Sequence, residues 1–241
     1  MKRKNIWKNG IAAAILLMFF AAGAYAMDFY RADATAMEAL HDGAAVTVRT
    51  EDRLLAFCPE KAELGLIFYP GGKVQPEAYA PLMRGLAEKD ILCVLVEMPL
   101  NLAVLDSNAA LQVPEQFPQI TDWYIGGHSL GGSMAAACAS ENPEIFSGLI
   151  LLAAYSTADL GESDMHVLSV YGTEDGVLNR ENYAQYYGNL PGSTRELVIA
   201  GGNHAQFGNY GPQRGDGTGA ITAQEQQRLT MEAMQSFLYE K

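Results

Sequence analysis

Cysteine is scarce in this chain, with three residues in 241: Cys58, Cys93 and Cys138. So small and odd a number gives no disulfide framework, and the fold has to rest on a packed core. Each cysteine sits in an apolar stretch, where a free thiol behaves as a small buried hydrophobe. No Cys/His cluster has the spacing of zinc ligands, so neither a metal nor another cofactor is implied. Positive charge is also short: Lys and Arg number 16 against 28 Asp and Glu, a formal net charge of -12. Such a chain cannot neutralise a run of phosphates, which excludes nucleic acid as a partner. Internal repeats, low-complexity tracts and a dividing linker are all missing. With 49% hydrophobic and 18% charged residues, the composition is that of a globular chain long enough for one full α/β domain.

The long apolar run is at the start. Lys2, Arg3, Lys4 and Lys8 precede Ile11–Met27 (IAAAILLMFFAAGAYAM), which Asp28 ends. A basic region, an apolar region and the small-x-small triplet Ala24-Tyr25-Ala26 make a secretory signal. The run also reaches the lower length limit of a single membrane-spanning helix. Residues 1–27 are therefore expected to be a signal peptide or an N-terminal membrane anchor, with 28–241 forming the domain. In either case the preceding cations leave the domain outside the cytoplasm.

Beyond Met27 a helical stretch (Arg31 to His41) leads into VTVRTEDRLLAF, which reads as an antiparallel hairpin turning at Glu51-Asp52. Continuous apolar runs follow: LGLIFYP, ILCVLVEMP, WYIGGHS, GLILLAA, HVLSVYG and RELVIAGG. Between them lie helical sequences at PEAYAPLMRGLAEKD, roughly Asp106 to Gln116, SMAAACASE, NRENYAQYY and the C-terminal TAQEQQRLTMEAMQSFLYEK. Strands buried on both faces and separated by helices predict a mostly parallel sheet covered on both sides.

The chemistry concentrates at Gly127-His128-Ser129-Leu130-Gly131, a G-x-S-x-G sequence between a strand and a helix. In that setting the serine stands on a tight strand-to-helix turn, and the glycines relieve crowding around it. A serine hydroxyl needs a base within hydrogen-bond reach, and the chain has only four histidines. His41 and His166 fall at surface positions, and the His128 side chain is expected to point away from the serine. His204, in the loop after the last strand, has the right address. The acid belongs after HVLSVYG, where Asp175 is the first choice and Glu174 the alternative. For the oxyanion hole, the backbone N–H of Leu130 is one expected donor. The second comes from Pro70-Gly71-Gly72-Lys73, with Gly72 favoured and Lys73 next.

Together YPGGKVQPEAYAPL, GGHSLGGSMAA, YGTEDGV and GGNHAQFGNYG resemble a family of small bacterial α/β-hydrolases related to the dienelactone-hydrolase branch. The resemblance covers the chain from about Val46 onward. It implies the α/β-hydrolase fold and the triad roles for Ser129, Asp175 and His204. Many members of the superfamily carry His-Gly where this chain has Pro70-Gly71, and dienelactone hydrolases use a cysteine nucleophile where this chain has Ser129.

The expected activity is hydrolysis of a small-molecule carboxylic ester. A thioesterase, amidase or acyltransferase on the same triad is the alternative, as is a non-catalytic surface-tethered binding module. Only Tyr155 to Met165 separates GLILLAA from HVLSVYG, too little for a cap domain. An open pocket is expected, bounded chiefly by the loop EMPLNLAVL and the glycine-rich segment after His204, with Met98, Leu100 and Leu102 as candidates to shape an acyl site. Short acyl groups are favoured. The membrane enters as a partner only through an uncleaved N-terminal segment.

Overall fold

A computed structural model describes residues 27–240 together with Met18, Gly23 and Tyr25. Most of the apolar N-terminal run lies outside the described residues, among which no helix is long and apolar enough to cross a membrane.

Among the described residues eight strands form one sheet: β1 (Val46–Glu51), β2 (Leu54–Pro59), β3 (Leu64–Tyr69), β4 (Ile91–Val96), β5 (Asp122–His128), β6 (Gly148–Leu152), β7 (His166–Gly172) and β8 (Arg195–Ile199). Their spatial order is β1-β2-β4-β3-β5-β6-β7-β8. The β1–β2 hairpin turns at Asp52-Arg53, both at positive φ, and β2 continues antiparallel onto β4. Every other pairing is parallel. The helices are α1 (Ala34–Glu38), α2 (Ala80–Ala87), α3 (Val113–Gln116), α4 (Leu130–Glu141), α5 (Arg180–Tyr186) and α6 (Ala223–Tyr239). The predicted antiparallel hairpin and covered parallel sheet are both present.

Period-2 alternation divides the central strands between two cores. Leu66 and Phe68 of β3, with Ile91, Cys93 and Leu95 of β4, pack against Tyr79, Met83 and Leu86 and against Met234 and Phe237 of α6. Ile67 and Tyr69, with Leu92, Val94 and Val96, face Ala135, Ala136 and Ala139 of α4. All of these are buried, which is why the strands read as unbroken apolar runs. Cys93 and Cys138 are buried as expected. Cys58, near the end of β2, is only half-buried.

The region from Asp106 to Gln116 departs from the helical expectation. It folds as a 3-10 turn at Ala109–Gln112 and the single turn of α3. Ala109, Ala110 and Val113 are buried at helix-like spacing, which mimics an amphipathic pattern. Pro114 has no N–H to continue a helix arriving from upstream, and the Ala110 N–H is diverted to the Tyr69 hydroxyl at 2.7 Å.

Where α4 crosses the end of β3, the backbones meet almost without side chains. A Cβ on Gly131 would lie 2.2 Å from the Pro70 carbonyl oxygen and 2.3 Å from that of Tyr69. Gly131→Ala therefore has to push backbone aside and should cost about 1–3 kcal/mol or more. Gly85 in α2 makes a control, because its added Cβ would meet only the flexible Met231 thioether. Urea unfolding should show a clearly lowered midpoint for Gly131→Ala and little loss for Gly85→Ala. Equal midpoints would refute the crowding argument.

Candidate active site

Ser129 sits between β5 and α4 with φ 53° and ψ -124°. That backbone is strained for a residue with a side chain and holds the serine outside both elements. The Ser129 N–H donates to Leu152 O at 2.9 Å, tying the turn to the end of β6. Ser129 and His204 both line a cavity of about 240 Å³, together with Leu130, Ser133, Tyr155, Val177 and Leu178. No hydrogen bond joins the serine to His204. The His204 Nε2 is buried and has no partner among the described residues, and such contacts are often loose before substrate binds.

The opposite ring nitrogen is fully engaged. His204 Nδ1 lies 2.9 Å from Asp175 Oδ2 and 3.1 Å from Oδ1, and both side chains are buried. Asp175 Oδ1 also accepts from the N–H groups of Val177 and Leu178 at 2.9 and 2.8 Å. Burial alone would raise the Asp175 pKa. The hydrogen bond and charge of His204, with the Leu178 and Val177 N–H groups, outweigh it and hold the carboxyl below its ordinary value. The stability this brings is present above about pH 4 and lost as pH falls through the lowered value. Glu174, the alternative acid, is exposed and accepts from the Thr173 hydroxyl beside it. Asp175 is the one brought to the histidine.

At the oxyanion loop the neighbouring N–H groups are already spent. Gly71 N–H donates to the Tyr79 hydroxyl at 3.0 Å, and Lys73 N–H donates to Asn101 O at 2.7 Å. The N–H groups of Gly72 and Leu130 have no acceptor among the described residues. The two residues touch, since a Cβ on Gly72 would lie 3.1 Å from Leu130 Cδ2. That geometry separates Gly72 from Lys73.

His128 is not among the residues that line the cavity with Ser129; its ring packs 4.5 Å from that of His204, centroid to centroid. Its Nδ1 is 2.8 Å from the Tyr79 hydroxyl. Burial, and then the neighbouring His204, hold its pKa well below the ordinary histidine value, so a neutral ring backs His204. The β4–β5 loop does not line the cavity either. Met98 is buried in the core and Leu100 points to solvent, while Tyr155, Val177 and Leu178 form the apolar wall. Tyr155 is held by stacking on Tyr186 at 5.6 Å and by a bond from Asn182 Nδ2 to its hydroxyl. The glycine-rich segment after His204 lines a separate cavity of about 430 Å³ behind the histidine loop, which contains neither Ser129 nor His204.

Sequence reasoning missed the residues that fix these loops. Asp216 Oδ1 accepts from Gly176 N and His204 N, both at 3.1 Å, and from Gly217 N at 2.8 Å. Its Oδ2 accepts from Ala205 N at 2.8 Å. One carboxylate thus ties the loop of Asp175 to the loop of His204. Gln226, wholly buried on α6, brackets Asn203: its Oε1 accepts the Asn203 N–H and its Nε2 donates to the Asn203 carbonyl. The available signals were an acid in a glycine-rich loop and a glutamine on the inner face of a helix. Among the described residues no group of three His, Cys, Asp or Glu is placed to hold a metal ion.

The profile of the alpha/beta hydrolase family matches residues 65–228, more than half of the chain. The chain belongs to that family. Solved structures similar to this alpha/beta hydrolase include Est1E from Butyrivibrio proteoclasticus, with TM-score 0.56 and 17% identity, covering 81% of this chain and 98% of that one. TT1662 from Thermus thermophilus gives 0.60 and 15%, over 81% and 99%. A predicted CIB-like hydrolase from Thermoplasma acidophilum gives 0.60 and 14%, over 80% and 100%. At these identities the likeness is one of fold. No curated protein matches the chain. The family and fold expected from the four motifs are borne out.

Because Asp216 positions His204 and Asp175 through backbone, Asp216→Asn should lower kcat/KM on the order of 10²-fold, the effect of a misplaced base, without unfolding the protein. Steady-state kinetics alongside thermal melting would check it. Activity within twofold of the parent would remove Asp216 from the site.

Proposed function

We propose that this alpha/beta hydrolase cleaves short-acyl carboxylic esters through an acyl-enzyme on Ser129. The observation that carries the reading is the buried Asp175–His204 pair, whose unpartnered Nε2 shares one cavity with the serine. Ser129 Oγ attacks the ester carbonyl while His204 Nε2 takes the hydroxyl proton. Asp175, bonded to Nδ1, fixes the tautomer and stabilises the imidazolium. The negative charge on the carbonyl oxygen meets the N–H groups of Leu130 and Gly72, each worth about 3 kcal/mol in such a site. Collapse expels the alcohol, which takes the proton from His204. Water then repeats the cycle and releases the acid.

Thioesters or amides would meet the same groups, but the cavity favours small acyl parts. Its 240 Å³ is below the usual range of a drug-sized site. Residues 153–165, between β6 and β7, carry no helix that could serve as a cap. Est1E has been solved with ferulic acid bound. An aromatic acid of that kind would have Tyr155 as its neighbour here.

We further infer that the domain works outside the cytoplasm, because four cations precede the apolar run. A mature N-terminus at Met27 would identify a cleaved signal, and an intact Met1 in the membrane fraction an anchor. Digestion of the domain in intact spheroplasts is the expected outcome, and protection would reverse the topology.

Two activity measurements test the reaction. A fluorophosphonate probe should label the parent, whereas Ser129→Ala should not be labelled and should lose several orders of magnitude in ester turnover. A protein that resists the probe would be a binding module. In a p-nitrophenyl series on the untethered domain from Asp28 onward, kcat/KM should be higher on acetate or butyrate than on palmitate, without a jump at the micelle threshold. The opposite order would show that some segment extends the acyl site.

A further inference from the structure

The β4–β5 loop carries an anomaly that catalysis does not use. Beyond Met37, the large aliphatic side chains left exposed among the described residues are Leu100, Val104, Leu105 and Val198. Three of these four fall within six residues of one loop, at 53%, 56% and 54% exposure. Single exposed aliphatics are ordinary, whereas a cluster marks a contact surface. The loop is firmly built beneath them. Ala103 is buried in the same core as α4, the Tyr69 hydroxyl donates to Ser107 O, and Arg53 pairs with Asp106 at 2.9 Å. Leu100 and Asn101 take positive φ of 54° and 56°, a conformation kept only where the surroundings impose it.

This loop lies at the carboxyl end of the parallel strands, the end that carries Ser129. The chain leaving the apolar N-terminal run arrives at the same place. Tyr30 N–H donates to Lys73 O and Gln75 N–H to Tyr30 O, fastening the entry of the domain to the oxyanion loop. Lys73 Nζ donates to Tyr25 O at 2.6 Å and stands 3.5 Å over the Tyr25 ring, while its backbone N–H holds Asn101 O. Lys73 thereby links the exit of the apolar segment to the exposed loop. Tyr25 and Met27 are themselves exposed, and a tyrosine beside a lysine suits the headgroup layer of a membrane. The amino ends of the same strands are charged, with exposed Glu60, Lys61, Glu63, Lys89 and Asp90.

We propose that Leu100, Val104 and Leu105 dock on a lipid bilayer, turning the active-site mouth toward the membrane that the N-terminal segment enters. The enzyme then takes esters presented at the bilayer surface, a choice of substrate that rests on the ester-hydrolase reading. The contact is shallow and apolar, since the acidic body gains nothing from anionic lipid. Tethering by residues 1–27 makes three side chains sufficient, because the second contact is intramolecular.

The test uses the full-length chain with residues 1–27 retained, in phosphatidylcholine vesicles. A nitroxide at Val104→Cys, in a Cys58→Ser background that leaves only the two buried thiols, is compared with one at Glu63→Cys. Oxygen should relax the label at 104 more than a water-soluble nickel chelate does, and the order should reverse at 63. Labels at 104 and 63 that behave alike, or a chain that does not float with the vesicles, would overturn the proposal. So would a label at 104 shielded from both reagents without lipid, since the chain's own apolar segment would then be the occupant. Val104→Ser/Leu105→Ser should lower turnover of a vesicle-embedded ester at least tenfold and leave soluble p-nitrophenyl butyrate within twofold. Equal losses on both would deny the membrane role. Lipid contact at 104 without any ester turnover would sink the hydrolase reading alone and leave the docking intact.

Discussion

The contact on which the site depends is the passage of Gly131 over the carbonyls of Tyr69 and Pro70. It lets the first turn of α4 lie against the end of β3, and two functional parts follow. The Leu130 N–H and the Gly72 N–H come to adjacent positions, because the loop after β3 starts where α4 starts. Ser129, one residue before, is forced into a positive-φ turn, anchored by its N–H to the end of β6. A side chain at position 131 would move Ser129 and the N–H groups of Leu130 and Gly72 together. The serine's strain is offset by the packing of α4 on the sheet, as strain at functional positions generally is.

Asp175 and His204 depend on a different device. They sit on separate loops after β7 and β8, where sheet pairing ends and backbone N–H groups would otherwise face solvent. Asp216 gathers four of those groups onto one carboxylate. Gln226 fixes Asn203 from the opposite side, and Asn203 in turn donates to Gly217 O at 2.9 Å. The histidine is thus held from behind by helix α6, from the side by Asp216 and at its ring by Asp175. The neutral His128 ring fills the remaining flank, and its link through Tyr79 to Gly71 joins the base to the oxyanion loop. A histidine supported in this way spends little freedom on holding one geometry.

The strands, and Ser129, His204 and Asp175 as candidates, could be read from the sequence for a common reason. Strand runs announce themselves by continuous burial, and the site residues by chemical type at fixed places relative to those strands. Asp216 and Gln226 carry no such mark, because they act through backbone N–H or carbonyl groups that any residue possesses, and Tyr79 reads as an ordinary core aromatic. Their partners are brought near only by the fold: Tyr79 and His128 are 49 residues apart, and Asn203 and Gln226 are 23. The stretch from Asp106 to Gln116 misled for the opposite reason. Its buried alanines and Val113 have helical spacing, yet a tyrosine hydroxyl from β3 and Pro114 claim the backbone first. Where a polar side chain competes for main-chain bonds, periodicity stops reporting secondary structure.

The β4–β5 loop shows how one segment can answer to two solvents. Its inner residues, Met98, Ala103, Ala109 and Ala110, are buried in the core that also holds α4, so the loop cannot swing without disturbing the nucleophile helix. Its outer residues contribute nothing to that core and leave apolar surface in water. Fully burying one such side chain is worth about 1.5–3 kcal/mol, so leaving three outside forgoes a substantial gain. Turning Leu100 inward would require releasing the left-handed backbone at Leu100 and Asn101. The Asn101 carbonyl holds the Lys73 N–H, so that movement would also disturb the oxyanion loop. The outward aim of Leu100 is therefore coupled to the geometry that positions Gly72. A surface set by the active site itself will face whatever the active site faces.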